Sequence, residues 1–185
     1  LHRVYTGALL ATTISVQKQG LNIARIGAIL CSCQSDKSGG ICKGDNPMKK
    51  LSSEAEKIKI ERFGKDTVVA LATVENEVPY VRYVNAYYEN GAFYIITYAL
   101  SNKMKHMETN PTIAIAGEWF TAHGKGINLG YWGKEENHLI AEKLKLAFAE
   151  WIDNGHNNFN DENTIILCVE LTDGLLLSHG TRYEF

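Results

Sequence analysis

Proline is scarce in this sequence, with three in 185 residues, and cysteine is rare, with four. So little proline excludes a Pro-rich disordered chain. Three of the four cysteines lie between positions 31 and 42, so nothing marks the rest of the chain as a disulfide framework. No run of 18 apolar residues occurs, and no transmembrane helix is expected. Charge of one sign is also lacking. A net charge of −2 does not supply the concentrated positive face that nucleic acid requires. Neither nucleic acid nor a membrane is therefore expected as a partner. H-E-x-x-H, EF-hand and P-loop patterns are absent. What remains is the ordinary composition of a globule, 45% hydrophobic and 22% charged, long enough for one good domain.

That composition is uneven along the chain. Residues 1–47 carry Arg3, Lys18, Arg25, Lys37 and Lys43 against Asp36 and Asp45, a net +3. All three Trp, all six Phe and eight of nine Tyr follow residue 47. Aromatic side chains dominate core burial, so the packed domain is expected over 48–185, opening at Met48. Residues 1–47 are read as an N-terminal segment of open role: an extension, a fusion or a docking arm. Within it, the apolar stretch 7–16 is followed by no A-x-A site and is not read as a secretory leader. Cys31, Cys33 and Cys42 have no trusted metal-site spacing and are read as free thiols, with a thiolate metal site as the alternative. The chain is expected to be cytoplasmic.

From Ser52 onward the pattern resolves into elements. A helix capped by Ser52 or Ser53, with Glu54 and Glu56 in its first turn, is expected to stop at Gly64. The period then changes to two. Strands are predicted over 67–74, 79–88 and 92–98, the last two joined by an Asn90-Gly91 hairpin turn. Ser101 begins a short helix that Asn110-Pro111 ends. Strands 112–120 and 122–132 follow, the second rich in glycine and so expected to bulge or meet another backbone closely. A long helix is predicted over 134–152 with Leu139, Leu144, Ala147, Phe148 and Trp151 buried. A polar loop leads to strands 164–171 and 175–178 around an Asp173-Gly174 turn. Five or six antiparallel strands with few helices give a mainly β (α+β) chain, closed as a small barrel to remove its edges.

One constellation suggests chemistry. Arg82 sits mid-strand among apolar and aromatic residues, where an unpaired charge is costly. Thr97 ends the neighbouring strand, and Ser101-Asn102-Lys103 opens a helix. A helix N-terminus with a hydroxyl, free N–H groups and a Lys suits a phosphate, and an Arg adds a forked contact. The alternative is Arg82 paired with an acid and Lys103 solvated. His123 is read as structural or solvent-facing, with proton donation to a substrate as the second reading.

The stretches Val81-Arg82-Tyr83-Val84-Asn85, Tyr94-Ile95-Ile96-Thr97, Ser101-Asn102-Lys103, Asn110-Pro111 and Glu118-Trp119 occur in an order and spacing that resembles the pyridoxamine 5′-phosphate oxidase-like FMN-binding split-barrel superfamily. Among its members the chain is most similar to the short general-stress-protein type. The resemblance covers about residues 54–180. It implies an antiparallel split β-barrel of about six strands with flanking helices, and a homodimer with FMN held non-covalently at the interface. By position, it implies Arg82 and Lys103 on the FMN phosphate with help from Ser101; Tyr83, Val84 and Asn85 along the flavin ring; and Thr97 and Tyr98 near the ring or ribityl chain. Asn102 stands where the oxidase has Arg. The resemblance further implies an oxidoreductase passing electrons or hydride between FMN and a small-molecule substrate. Alternatives are a non-catalytic FMN-binding, sensing or storage protein of a stress response, or a relative binding haem or a deazaflavin. It does not extend to vitamin B6 oxidation, because 178–185 contains one His and one Arg without the oxidase's surrounding pattern.

Overall fold

The structure is a computed structural model, and it describes residues 47–185, with side chains from Ser53 onward. The expectations for residues 1–46, including Cys31, Cys33 and Cys42, lie outside the described residues. Helix α1 (Pro47–Phe63) is followed by strands β1 (Thr67–Glu75), β2 (Val78–Glu89) and β3 (Ala92–Tyr98). Helix α2 (Asn102–Thr109) precedes β4 (Thr112–Gly117) and β5 (Phe120–Tyr131), and α3 (His138–Ala147) precedes β6 (Thr164–Ser178) and β7 (Thr181–Glu184). The sheet runs β3-β2-β1-β4-β5-β6-β7, and β3 also pairs with β6. All these pairings are antiparallel, so six strands close into a barrel with β7 outside it. The mainly β split-barrel expectation holds. Among the described residues no helix is long and apolar enough to cross a membrane.

Strict alternation sets the barrel interior. Val69, Leu71 and Thr73 of β1 are buried, as are Ile113 and Ile115 of β4 and Phe93 and Ile95 of β3. Phe93 lies at the aromatic centre, with ring centroids 5.6 Å from Phe63, 5.0 Å from Tyr88 and 5.7 Å from Phe120. A second cluster packs Ala141, Leu144, Phe148 and Ile152 against Trp132 and Ile166.

The ladders are unequal, and that inequality makes the split. β2 pairs with β1 from Val78 to Ala86, and β3 pairs with β6 along its whole length. Between β2 and β3 the ladder holds only Tyr87↔Tyr94, Tyr88↔Phe93 and Glu89↔Ala92. The edge of β2 around Arg82–Asn85 and the edge of β3 around Ile96–Tyr98 are therefore not bonded to each other. Backbone groups there are available to another partner.

Four sequence expectations need correction. α1 begins at Pro47, a residue suited to the first helical position, so Glu54 and Glu56 lie beyond the first turn. The predicted strand 112–120 stops at Gly117, because Glu118 and Trp119 form a tight turn in which Trp119 has φ 53° and Phe120 already belongs to β5. The long helix is instead a 3-10 turn (Glu135–Asn137) and a ten-residue α3 that Phe148 leaves at φ −103°. Its buried stripe is Ala141, Leu144, Phe148 and Ile152, which turns Leu139 outward at 77% exposure. Finally, Asp173-Gly174 is no hairpin turn. β6 runs through it, and a Cβ on Gly174 would meet Phe185 at 2.5 Å and Ala122 at 2.8 Å. Glycine there permits close strand contact. The turn falls at His179-Gly180, where both residues have positive φ. The glycines of β5 behave as expected, with register shifts at His123/Gly124 and Asn128/Tyr131.

Phe93→Ala empties the aromatic centre and should lower the unfolding free energy in urea by about 3–5 kcal/mol. Leu146→Ala, on the exposed side of α3, should change it by no more than about 0.5 kcal/mol.

Candidate functional site

The end of the barrel closed by α2 gathers the charged constellation. On β2, Arg82 shares its inward face with Ala86 and Tyr88, and its partner across the ladder is Leu71. Arg82 Nη1 donates to Thr73 Oγ1 at 2.8 Å and to the Leu71 carbonyl at 3.3 Å. These bonds hold the guanidinium without neutralising it. Lys103 stands in the first turn of α2, whose inward face, Met104, His106 and Met107, is buried and lies against β1.

The electrostatics are unfavourable in the protein alone. Burial lowers the Lys103 pKa, and the neighbouring Arg82 charge lowers it further. Burial also lowers that of Arg82. Neither cation forms an ion pair among the described residues.

The helix start adds donors. Ser101 is the N-cap of α2, yet its side chain makes no capping bond. Its Oγ is buried and has no hydrogen-bond partner among the described residues. The Ser101 N–H donates to the Tyr98 carbonyl, while the N–H groups of Met104 and Lys105 donate to the Ser101 carbonyl. Two cations, an unused hydroxyl and the positive end of a helix therefore meet with no carboxylate paired to them among the described residues. That is the donor set for an oxyanion with several acceptor oxygens, phosphate above all.

The remaining candidates distribute differently. Val84 is half-buried on the Arg82 face, whereas Tyr83 points outward and is exposed. Asn85 donates to Asp66 Oδ1 at 2.8 Å, and Asp66 Oδ2 accepts from Trp151 Nε1 at 2.6 Å, so Asn85 is committed to Asp66, which ties the loop after α1 to the segment after α3. Thr97 is buried and Tyr98 half-exposed; both line a cleft of about 250 Å3 with His156, Asn158 and Thr164. Asn102 is exposed at the helix start. His123 is solvent-facing, with Nδ1 2.7 Å from Asp173 Oδ1. This contact and the Thr172 hydroxyl lower the Asp173 pKa. Cys168 is buried in β6, and burial pushes its thiol up to about 11. A cavity of about 460 Å3 at the β4–β5 turn, lined by Arg62, Trp119 and His179, shares no residue with the Arg82–Lys103 cluster. Its cation is already spoken for, since Arg62 donates to the Leu177 carbonyl at 3.0 Å and Ser178 Oγ at 2.8 Å.

Sequence reasoning missed the residues behind Arg82. Thr73 Oγ1 lies 2.9 Å from His106 Nδ1, His106 Nε2 lies 3.3 Å from Glu75 Oε2, and the Tyr80 ring lies over His106 at 4.7 Å. The Lys103–His106 spacing of three residues was the available signal, since it puts both near one helix face. The β1–β2 register that joins Thr73 to Arg82 was not readable.

The order of these elements is that of a recognised family. The profile of pyridoxamine 5′-phosphate oxidase matches residues 57–165. The chain belongs to that family. No curated relative matches it in sequence. Solved structures share the family's barrel at low identity. A FAD-binding protein from Mesorhizobium loti has a TM-score of 0.51 at 13% identity, over 64% of this chain and 90% of its own. General Stress Protein 26 from Bacillus anthracis has 0.52 at 16%, over 65% and 92%. A heme-binding protein from Mycobacterium smegmatis has 0.54 at 14%, over 73% and 57%. At these identities the likeness is one of fold.

Removing the frustrated groups of this family member should stabilise the ligand-free protein. Ser101→Ala deletes a buried, unpaired hydroxyl and should add about 1 kcal/mol in chemical denaturation. Lys103→Met should also stabilise near neutral pH. The folded-state pKa of Lys103 lies below its unfolded value of 10.5, so its protonated form opposes folding at low and neutral pH. That penalty fades as pH rises through the lowered value, and the advantage of Lys103→Met should shrink over the same range.

Proposed function

We propose that this protein binds FMN non-covalently, with the phosphate on Arg82, Lys103 and Ser101, and that it is an oxidoreductase acting on a small molecule. The observation that carries the reading is the meeting of two ion-unpaired cations and an unused buried hydroxyl at the N-terminus of α2. A phosphate dianion offsets both charges and accepts from the Ser101 hydroxyl. Family membership and the FAD-binding neighbour support a flavin as the carrier of that phosphate. The gap between β2 and β3 supports the same reading, because its unbonded backbone groups lie beside Arg82 on one strand and Thr97 on the other.

Bound flavin supplies reversible uptake of hydride or electrons, and the protein supplies binding, orientation and electrostatics. Arg82 and Lys103 anchor the phosphate and so fix the far end of the ligand. The half-buried Val84 on the same face keeps water from that approach. In an enzyme, His123 would be the group open to a substrate: its Nδ1 is held by Asp173 and its ring faces solvent beside a cavity of about 310 Å3.

A second copy of the chain completes the proposal. The outer face of β1, β2 and β4 exposes Val68 at 57%, Val81 at 68% and Tyr83 at 80%, around Ala70, Ala72, Ala114 and Ala116. Such a flat apolar face suits an isologous contact. We assign the protein to the cytoplasm as part of the same reading.

Purified protein given FMN should show flavin absorption bands that stay with the protein through gel filtration. Arg82→Ala/Lys103→Ala should weaken FMN binding at least about a hundredfold, from roughly 1.5–3 kcal/mol for each charge-assisted contact. Failure of the wild type to retain flavin at micromolar FMN would refute the proposal.

A further inference from the structure

The buried imidazole of His106 has no part in the phosphate contacts above, yet a chain of hydrogen bonds joins it to them. The direction of donation in that chain follows from inventory when the single ring proton lies on Nε2, the nitrogen nearest the Glu75 carboxylate. Arginine has no acceptor, so Thr73 Oγ1 must accept from Arg82 Nη1. The single proton of the Thr73 hydroxyl is then free for His106 Nδ1, 2.9 Å away. With Nδ1 accepting, the ring proton sits on Nε2, facing Glu75 Oε2 at 3.3 Å. Both hydrogen bonds donate the same way, from guanidinium to hydroxyl to imidazole, and the Glu75 carboxylate lies within ion-pair distance of the ring beyond them.

Each group in this chain is held. Thr73 is fully buried and His106 is 3% exposed, while the Tyr80 ring covers the imidazole at 4.7 Å. The groups facing His106 are Thr73 and Glu75 from β1 and Tyr80 from β2, with Arg82 one bond further on. The Glu75 side chain is 45% exposed, so the chain ends at the surface. His106 also sits on α2, the helix that carries Ser101 and Lys103. His106 thus links β1, whose Thr73 grips Arg82, to the helix that carries the other two contacts.

Resting on the function proposed above, we propose that His106 is a positioning residue for the phosphate site: by accepting the Thr73 proton it fixes the Arg82 guanidinium toward the N-terminus of α2. Without an acceptor at Nδ1, the Thr73 hydroxyl has no outlet for its proton, and its lone pairs are no longer turned toward Arg82. The guanidinium then shifts toward its weaker contact, the Leu71 carbonyl at 3.3 Å. The consequence is confined to ligands with a phosphate, because Arg82 touches the ligand only there.

Two ligands separate this from a general loss of structure: FMN, and riboflavin, which lacks the phosphate. Affinities by fluorescence titration should show wild type preferring FMN. His106→Gln keeps an amide near Nε2 but loses the acceptor at Nδ1, and it should weaken FMN about tenfold while changing riboflavin less than about twofold. His106→Asn restores an acceptor near Nδ1 and should recover most of the FMN affinity. Thr73→Val removes the link from the other side and should match His106→Gln. The double variant should be no worse than either alone, as expected for groups acting in series. Equal loss for FMN and riboflavin, or additive losses in the double variant, would overturn the relay. If wild type binds FMN no better than riboflavin, the phosphate reading of Arg82 and Lys103 falls, and the positioning role falls with it. A ligand-independent check is the His106 tautomer by long-range 15N–1H NMR. The proton on Nε2 supports the chain as drawn; a proton on Nδ1 reverses its direction and overturns it.

Discussion

Arg82 and Lys103 repel each other where α2 packs against β1, and the arrangement around them depends on that repulsion. Burial strengthens the electrostatic interactions of both groups, and no ion pair among the described residues relieves them. A surface pair of lysines would simply move apart. Here Arg82 is pinned by Thr73, and Lys103 is carried by a helix whose inward face is packed under the barrel. The protein keeps an energetic deficit that a bound anion would relieve, and the Ser101 hydroxyl, unpaired among the described residues, belongs to the same deficit. Unsatisfied groups of this kind are characteristic of binding sites, where stability is traded for preorganisation.

Barrel closure makes the deficit tolerable. β6 bonds to β3 on one side, to β5 along most of its length, and to β7 near its end, so the sheet is complete away from the β2–β3 gap. The shortened β2–β3 ladder is then a local gap in a closed structure. The aromatic cluster of Phe63, Phe93 and Phe120 fills the interior and fixes the strands that carry Arg82 and Thr97.

Much of this was legible in the sequence because it depends on local rules. The pattern marked Arg82 as a charge in mid-strand among apolar and aromatic residues, and Ser101 and Asn110-Pro111 marked both ends of α2. Errors arose where two neighbours compete for one conformation. Asp173-Gly174 carries a turn signature, but Gly174 is small because Phe185 and Ala122 crowd it. Leu139 looks like a core residue of a long amphipathic helix, but the helix is shorter and its stripe falls on Ala141 and Leu144, with Phe148 just past its end. At the site, the residues that would touch a ligand could be named, whereas Thr73, His106 and Glu75 could not. Their role depends on which residue of β1 lies beside which residue of β2, and pairing register is a property of the assembled sheet.

The central claim is that the N-terminus of α2, together with Arg82, is a phosphate site built between strands that part. A crystal structure of the protein grown with FMN tests it most directly. The account predicts the FMN phosphate within hydrogen-bonding distance of Arg82, Lys103 and the Ser101 hydroxyl, with the ring running toward the gap between β2 and β3. Flavin bound instead in the cavity beside Arg62 and Trp119, or a phosphate remote from Arg82 and Lys103, would contradict it.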